Sequence, residues 1–374
     1  MRSIRNALVV GGGIGGMSAA ITLRKLGVPV DLVDLDPQWR VYGAGITITG
    51  ATLRAFHALG VLDAVVQGAY TGDGIQVCDM GGQRIARVPT PLVADTELPG
   101  SGGIMRPLLH KILSEKTLAL GTKVRLGTTV DALTDLPRGV GVVFSDGRTA
   151  EYDVVIGADG VFSKVRTLLF PDAPRPQYTG QCVWRLVAPR PPEIERRHFF
   201  LGGPHKVGLT PVSAEEMYMF LLETTPRRPV LPDEALPGEL AKLMAGYGGP
   251  LRAIRESLGP NSRIVLRPLE GFLLPRPWHR GRVLLIGDAA HPTTPQLASG
   301  AGMAVEDALV LGAELAKADT VTAAFAGFMA RRYERCRLVV ENSLEIGRRE
   351  QRRAPIEEQT HLVEESLRVL AQPI

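Results

Sequence analysis

Only three cysteines, Cys78, Cys182 and Cys336, occur in 374 residues. They are widely spaced, form no CxxC pair and have no histidine neighbour at metal-ligand spacing, so neither a disulfide framework nor a zinc site is indicated. No metal is expected, and a reducing, cytoplasmic setting fits best. A run of about 18 apolar residues is also missing, and the apolar stretch near the N-terminus is broken by Gly11, Gly12, Gly13, Gly15 and Gly16 without a cleavage-like ending. Membrane association and secretion are therefore not expected. Charge of one sign is lacking too: 43 Lys plus Arg against 39 Asp plus Glu give a formal +4. The densest arginines, from Arg331 to Arg353, alternate with Glu334, Glu341, Glu345 and Glu350, which reads as a solvated helix face and argues against nucleic-acid binding. Internal repeats and low-complexity tracts are absent. With 45% hydrophobic and 22% charged residues, the chain is that of a turn-rich globular enzyme with a large core.

The apolar run Ala7 to Val10 ends in glycines, helical spacing follows at Ala19, Ala20, Leu23 and Leu26, and a β-rich pattern returns at Val28 to Val33. This is a βαβ unit. Helices are expected over Ala51 to Leu59 and Met105 to Leu120, and strands between Lys123 and Ile156. From Gln177 to Arg267 the text changes to strand-like runs at Val183 to Val187, Lys206 to Val212 and Met217 to Glu223, with a helix near Pro237 to Tyr247. Val283 to Ile286 restores a buried strand. The expected architecture is α/β: a Rossmann-type domain (residues 1–75, 99–176 and 265–340) interleaved with a smaller α+β substrate domain (76–98 and 177–264), then a C-terminal helical segment (341–374).

The first chemical motif is GxGxxG at Gly11, Gly13 and Gly16, with Ile14 and Gly15 inside it, between the first strand and its helix. Glycine allows a tight turn, close approach of a pyrophosphate and close packing of helix on strand, while the helix N-terminus offers free N–H groups to phosphate. Asp34 ends the second strand 18 residues past Gly16, near the spacing of about 20 expected for a ribose-binding carboxylate.

The second motif runs Asp153-Val154-Val155-Ile156-Gly157-Ala158-Asp159-Gly160 and continues to Ser163, Val165 and Arg166. The third runs Gly281-Arg282-Val283-Leu284-Leu285-Ile286-Gly287-Asp288-Ala289-Ala290-His291-Pro292, through Pro295, to Gly300-Ala301-Gly302 and Glu306-Asp307-Ala308. Together these resemble the flavoprotein aromatic hydroxylases, the class A FAD-dependent monooxygenases that include para-hydroxybenzoate and salicylate hydroxylases. The resemblance spans nearly the whole chain and is most specific in the nucleotide-binding parts. It implies FAD held without covalent attachment, Asp159 supporting the fold near the pyrophosphate, Asp288 accepting from the ribityl chain, and backbone donors from Gly300 to Met303 facing the pyrimidine edge of the flavin. Arg40, the Gly43-Ala44-Gly45-Ile46 segment and Arg106 match places beside the cofactor. Met303 and Ser299 depart from the residues common in the family, without removing a backbone donor.

By the same resemblance NADH or NADPH would bind transiently, since no second GxGxxG unit exists, and a flavin hydroperoxide would transfer one hydroxyl from dioxygen to a small aromatic or heteroaromatic substrate. Arg185 is a candidate partner for a substrate carboxylate. His205, Tyr218 and Phe220 are candidates for lining or acid–base work, and Pro292 and Pro295 for the wall over the ring. The assembly is expected to be a monomer or homodimer. Two other functions remain open on this fold: a flavoprotein reductase of an isoprenoid-type substrate, and a non-enzymatic binding protein resembling Rab GDP-dissociation inhibitors.

Overall fold

The computed structural model describes residues 4–41, 43–90, 92–93 and 96–374. The apolar run Ala7–Val10, too short and too continuous to be a surface strand, is buried on both faces at the centre of a six-stranded sheet. It lies parallel to Val30–Asp34 on one side and to Val154–Gly157 on the other. Lys123–Leu126 and Val283–Leu285 extend the parallel set outward, and His279–Arg280 closes one edge antiparallel. The helices Ile14–Lys25 and Gly300–Lys317 pack against one another beside this sheet. A three-stranded antiparallel sheet, Val130–Leu136, Gly139–Phe144 and Thr149–Tyr152, covers part of the remainder.

The second large sheet has seven strands and is mostly antiparallel, in the order Arg263–Gly271, Gln177–Pro189, Glu216–Thr224, Lys206–Pro211, Arg197–Phe200, Ile75–Cys78 and Arg84–Val88. The last two strands come from far upstream in the chain, so the two sheets are interleaved in sequence. Alternation sorts the second sheet into two faces. Trp184, Leu186, Met217, Met219, Leu221, Val207 and Leu209 form one core with the helices Leu236–Leu243 and Pro250–Glu256. The opposite face carries Arg185, Tyr218, Phe220, Phe199 and Arg197 toward the first domain.

Two sequence expectations change here. A helix boundary at 341 does not exist: a single 31-residue helix runs Val321–Gln351, and the chain breaks only before Pro355, ahead of the last helix Ile356–Leu370. The arginine-rich stretch is not a uniformly solvated face either. Arg332 is fully buried and Arg335 nearly so, because Phe325, Phe328, Met329, Arg332, Cys336 and Val339 share the apolar stripe of that helix.

Candidate active site

A cavity of about 550 Å³ lies between the two large sheets, within the size range of small-molecule and cofactor sites. At one end stands the first glycine turn. Gly13, Ile14 and Gly15 line the cavity where the helix Ile14–Lys25 begins. A β-carbon added at Gly13 would meet no atom within 4 Å, so the space over this helix N-terminus is open. The other glycines of the motif have packing duties. Gly11, at φ +105°, presses against the Ala158 carbonyl, and a β-carbon on Gly16 would come within 1.8 Å of the Gly11 carbonyl oxygen. Neither lines the cavity.

Asp34 is drawn into the same turn. Its carboxylate accepts from the Gly12 amide at 2.6 Å and the Asp36 amide at 2.8 Å, while the Trp39 indole donates to the Gly12 carbonyl at 2.9 Å. Two oxygens with about four acceptor positions leave capacity for a further donor. Arg40 is exposed and pairs with Asp36 at 3.0 Å, away from the cavity lining. In the second motif the chain surface at the cavity comes from Ala158, Gly160 and Val161. The Asp159 carboxylate turns away and accepts from the Ser163 hydroxyl and the Val165 amide, fixing the start of the helix Lys164–Leu169. Burial pushes its pKa up, against these hydrogen bonds.

The third motif supplies the opposite wall. Asp288, in the turn after the strand Val283–Leu285, lines the cavity and is exposed there, with protein crowded around its carboxylate. Burial raises its pKa, and the charges of His291 and Arg106 oppose that rise. Pro292 and Pro295 line the wall, followed by Ser299, Gly300 and Ala301 at the N-terminus of the helix Gly300–Lys317. That helix has no side-chain cap, so its first amides are free to donate. Gly302 and Met303 do not line the cavity. A β-carbon at Gly302 would lie 2.5 Å from the Thr52 hydroxyl, and Met303 is buried in the core.

The Asp288 turn is held from behind by a fully buried network. Asp307 accepts from the Gly287 amide at 2.8 Å, from His291 Nε2 at 2.6 Å and from Arg332 Nε at 2.7 Å. Arg332 also donates to Glu306 at 2.7 Å, and Glu306 takes two more bonds from Arg335. Burial opposes the charges of both partners, yet the cations hold the Asp307 pKa down to about 2 and the His291 value is raised by Cys336 and Asp307. His291, Asp307 and Cys336 gather within 4.8 Å of one another, but the Arg332 guanidinium touches Asp307 and Cys336, and its charge opposes a metal cation there.

The seven-stranded sheet forms the remaining wall. Arg185 Nε donates to the Tyr218 hydroxyl at 3.3 Å. Phe220 lies 6.0 Å from the Phe199 ring, edge on, and 6.2 Å from Tyr218. Gly45 permits the close approach of the two domains, since a β-carbon there would lie 2.6 Å from Tyr218. His205 is not among the lining residues; it sits one position before Lys206, so strand alternation gives the cavity to Lys206 and turns His205 away. Its backbone exchanges hydrogen bonds with the Tyr247 hydroxyl instead. Arg197, Phe199, Lys206 and Gln296 line the cavity without having been singled out in the sequence. The alternation in Arg197-His198-Phe199-Phe200 was the available signal, but four residues are too few to separate a strand from a loop.

Residues 5–344 match the FAD binding domain family. The chain belongs to that family. It is 32% identical over 353 residues to aurachin C monooxygenase/isomerase of Stigmatella aurantiaca, covering 93% of this chain and 90% of that one. It is 29% identical to the FAD-dependent urate hydroxylase of Klebsiella pneumoniae over 343 residues, 89% of this chain and 87% of that one. Among solved structures, Klebsiella pneumoniae HpxO complexed with FAD and uric acid superposes with a TM-score of 0.84 at 26% identity, covering 98% and 94% of the two chains. The protein is thus an oxidoreductase of the flavoprotein aromatic hydroxylase family, an FAD-dependent monooxygenase.

The residues present fit that cofactor. The open space over Gly13 and the uncapped helix starts at Ile14 and Gly300 suit a pyrophosphate and an electron-rich ring edge. Arg106 is enclosed by protein, with its pKa lowered first by burial and then by Arg185, and among the described residues it forms no ion pair. An anionic cofactor would supply that charge.

Proposed function

We propose that the protein hydroxylates a small aromatic or heteroaromatic ring, using NADH or NADPH and dioxygen. The observation that carries this reading is the aromatic wall of Phe199, Tyr218 and Phe220 facing the Asp288–Pro292 turn across one cavity. Bound flavin supplies the redox chemistry there, accepting hydride and activating dioxygen. The relatives agree in substrate type: besides the urate hydroxylase, a Streptomyces cremeus protein 34% identical over 318 residues is 3-amino-4-hydroxybenzoate 2-monooxygenase.

The side chains have separable duties in this reading. Gly13, Gly15 and the helix amides behind them would hold the pyrophosphate, with Arg106 as a counter-charge. Asp288 would accept from a ribityl hydroxyl, kept in place by the Asp307 network. Gly300 and Ala301 would donate toward the flavin edge. Because Arg185 occupies a lone pair of the Tyr218 oxygen, the Tyr218 proton is left to donate toward a substrate oxygen. Pro292 and Pro295 shape the wall that keeps water from the reacting ring. No helix among the described residues is long and apolar enough to cross a membrane, and Cys78, Cys182 and Cys336 are free and buried; a cytoplasmic location fits these facts. The test is a panel of aromatic acids, phenols and N-heterocycles screened for substrate-dependent NAD(P)H oxidation coupled to a hydroxylated product. Oxidation that no ring stimulates would count against the reading.

A further inference from the structure

Glu350 sits near the end of the long helix Val321–Gln351, in a stretch whose alternating charges suggest a solvated face, yet its side chain is only 7% exposed. Its carboxylate is shared among three groups that come from both sides of the cavity. Gln296, in the turn Pro295–Leu297, donates to it from Nε2 at 3.1 Å. Gln181, on the strand Gln177–Pro189, donates at 3.3 Å, and Lys206, at the start of Lys206–Pro211, pairs with it at 3.0 Å. Gln296 Nε2 also donates to Gln181 Oε1 at 3.1 Å, so the three side chains close on one another. Gln296 and Lys206 line the cavity, and Glu350 stands behind them.

The helix is shaped for this contact. Gly347 lies buried in its interior, where glycine is a poor helix former. A β-carbon there would fall 2.9 Å from Gln181 Oε1 and 3.2 Å from Gln296 Nε2, so the missing side chain makes room for the two amides. The next residue after Glu350 extends the junction: Gln351 donates to the Thr179 carbonyl at 3.1 Å. Gly180, at φ +84°, leaves space for it, since a β-carbon there would lie 2.7 Å from Gln351 Oε1. Gln296 is oriented through its Nε2, because its Oε1 is buried with no hydrogen-bond partner among the described residues.

The cluster therefore ties the segment that follows the Asp288 turn to the sheet that carries Tyr218 and Phe220. A shared buried carboxylate accepting charge-assisted bonds is a strong junction, and removing it strands Lys206 and frees both amides. The ring wall and the Pro292–Gly300 wall would then no longer be held at a fixed separation.

We propose that Glu350 is a positioning residue for ring hydroxylation: by clasping Gln296 to Gln181 and Lys206 it holds the two walls of the cavity together, keeping the ring in place and water out. The proposal rests on the hydroxylase reading and deepens it. With the ring held, NAD(P)H, a proton, dioxygen and a ring C–H give NAD(P)⁺, a ring C–OH and water. With the clasp open, NAD(P)H, a proton and dioxygen give NAD(P)⁺ and hydrogen peroxide, and the ring is left unchanged. Glu350 thus sets the share of reductant that ends in product.

The experiment uses full-length protein at saturating FAD and two readouts: hydroxylated product and hydrogen peroxide per NAD(P)H oxidised, with the ring of the panel that the wild type converts best, and amide hydrogen exchange without substrate. In Glu350→Ala the product per NAD(P)H should fall about 3- to 10-fold, with peroxide making up the difference. Exchange should quicken in residues 293–300 and 177–183. Gly347→Ala, which favours the helix but crowds the two amides, should show the same two changes, and Glu350→Gln should lie between wild type and alanine. Arg348→Ala, exposed on the same helix, should show neither. A lower Tm in Glu350→Ala with an unchanged product share would overturn the proposal, as would unchanged exchange in both segments or an equal loss in Arg348→Ala. So would full recovery of the product share on adding Lys206→Met to Glu350→Ala, which would trace the loss to a stray charge. Exchange is measured without a ring, so it decides the clasp even where no ring of the panel is hydroxylated, the outcome that would sink the hydroxylase reading instead.

Discussion

Replacing Arg332 by leucine removes the centre of the buried network behind the Asp288 turn. Breaking a buried ion pair by deleting one partner costs about 3–5 kcal/mol, because the remaining charge is stranded. The geometry puts this case at the lower end. Glu306 keeps its two bonds from Arg335, and Asp307 keeps the Gly287 amide and His291. With an unfolding entropy of about 0.8 kcal/mol per kelvin for a chain of this length, roughly 3 kcal/mol corresponds to a fall in Tm of about 4 °C. The loss should extend to the cofactor, since Asp307 anchors the turn that carries Asp288 and Arg332 fixes the other oxygen of Asp307. Differential scanning fluorimetry of ligand-free protein, with FAD titration, measures both effects. Arg332→Lys should fall between wild type and leucine, as a point charge cannot bridge Glu306 and Asp307 as a fork does. An unchanged or higher Tm in Arg332→Leu, with unchanged FAD affinity, would refute the assignment of this network.

Gly13→Val should give folded, colourless protein, because its side chain enters the open space proposed for the pyrophosphate; Gly16→Val should fail to fold, since its side chain meets the Gly11 carbonyl. Circular dichroism and flavin absorbance separate the two outcomes. Asp288→Ala should weaken FAD by about 1.5–3 kcal/mol whatever the substrate, whereas Arg185→Ala should act on KM in a substrate-dependent way; steady-state kinetics with an anionic and a neutral ring, beside FAD titration, tests the division. His291 has a folded-state pKa raised above about 6.5, so its pairing with Asp307 stabilises fully below pH 6.5 and is lost as pH climbs through the folded value. His291→Gln should flatten that alkaline decline in Tm between pH 6.5 and 10, and a decline of equal slope in wild type and variant would contradict it.

The glycine turns and helix starts at one end of the cavity were legible in the sequence because they are features of the backbone. Gly11 to Gly16 and Asp288 to Gly302 are continuous stretches whose glycines, prolines and helix starts declare local geometry. What each residue does there was less visible: Gly16 and Gly302 serve packing, and Asp159 caps a helix. The sheet wall was hard to see for a different reason. Which of His205 and Lys206 faces the cavity depends on strand register, and Arg197 joins it through the pairing of its strand with Lys206–Pro211 and with the distant strand Ile75–Cys78. The burial of Arg332 had a sequence signal, its place on the apolar stripe of its helix opposite the adjacent acids Glu306 and Asp307. Its surroundings of alternating charge concealed that signal.

The central claim is that bound FAD in this cavity inserts one atom of dioxygen into a ring. Turnover under ¹⁸O₂ with NADH or NADPH and a ring from the panel that stimulates oxidation, followed by mass spectrometry of the product, tests it most directly. One ¹⁸O atom per hydroxylated product, lost together with product formation in Gly13→Val, is the expected result. Product oxygen derived from water, or hydrogen peroxide as the sole oxygen product with every ring tried, would contradict the account.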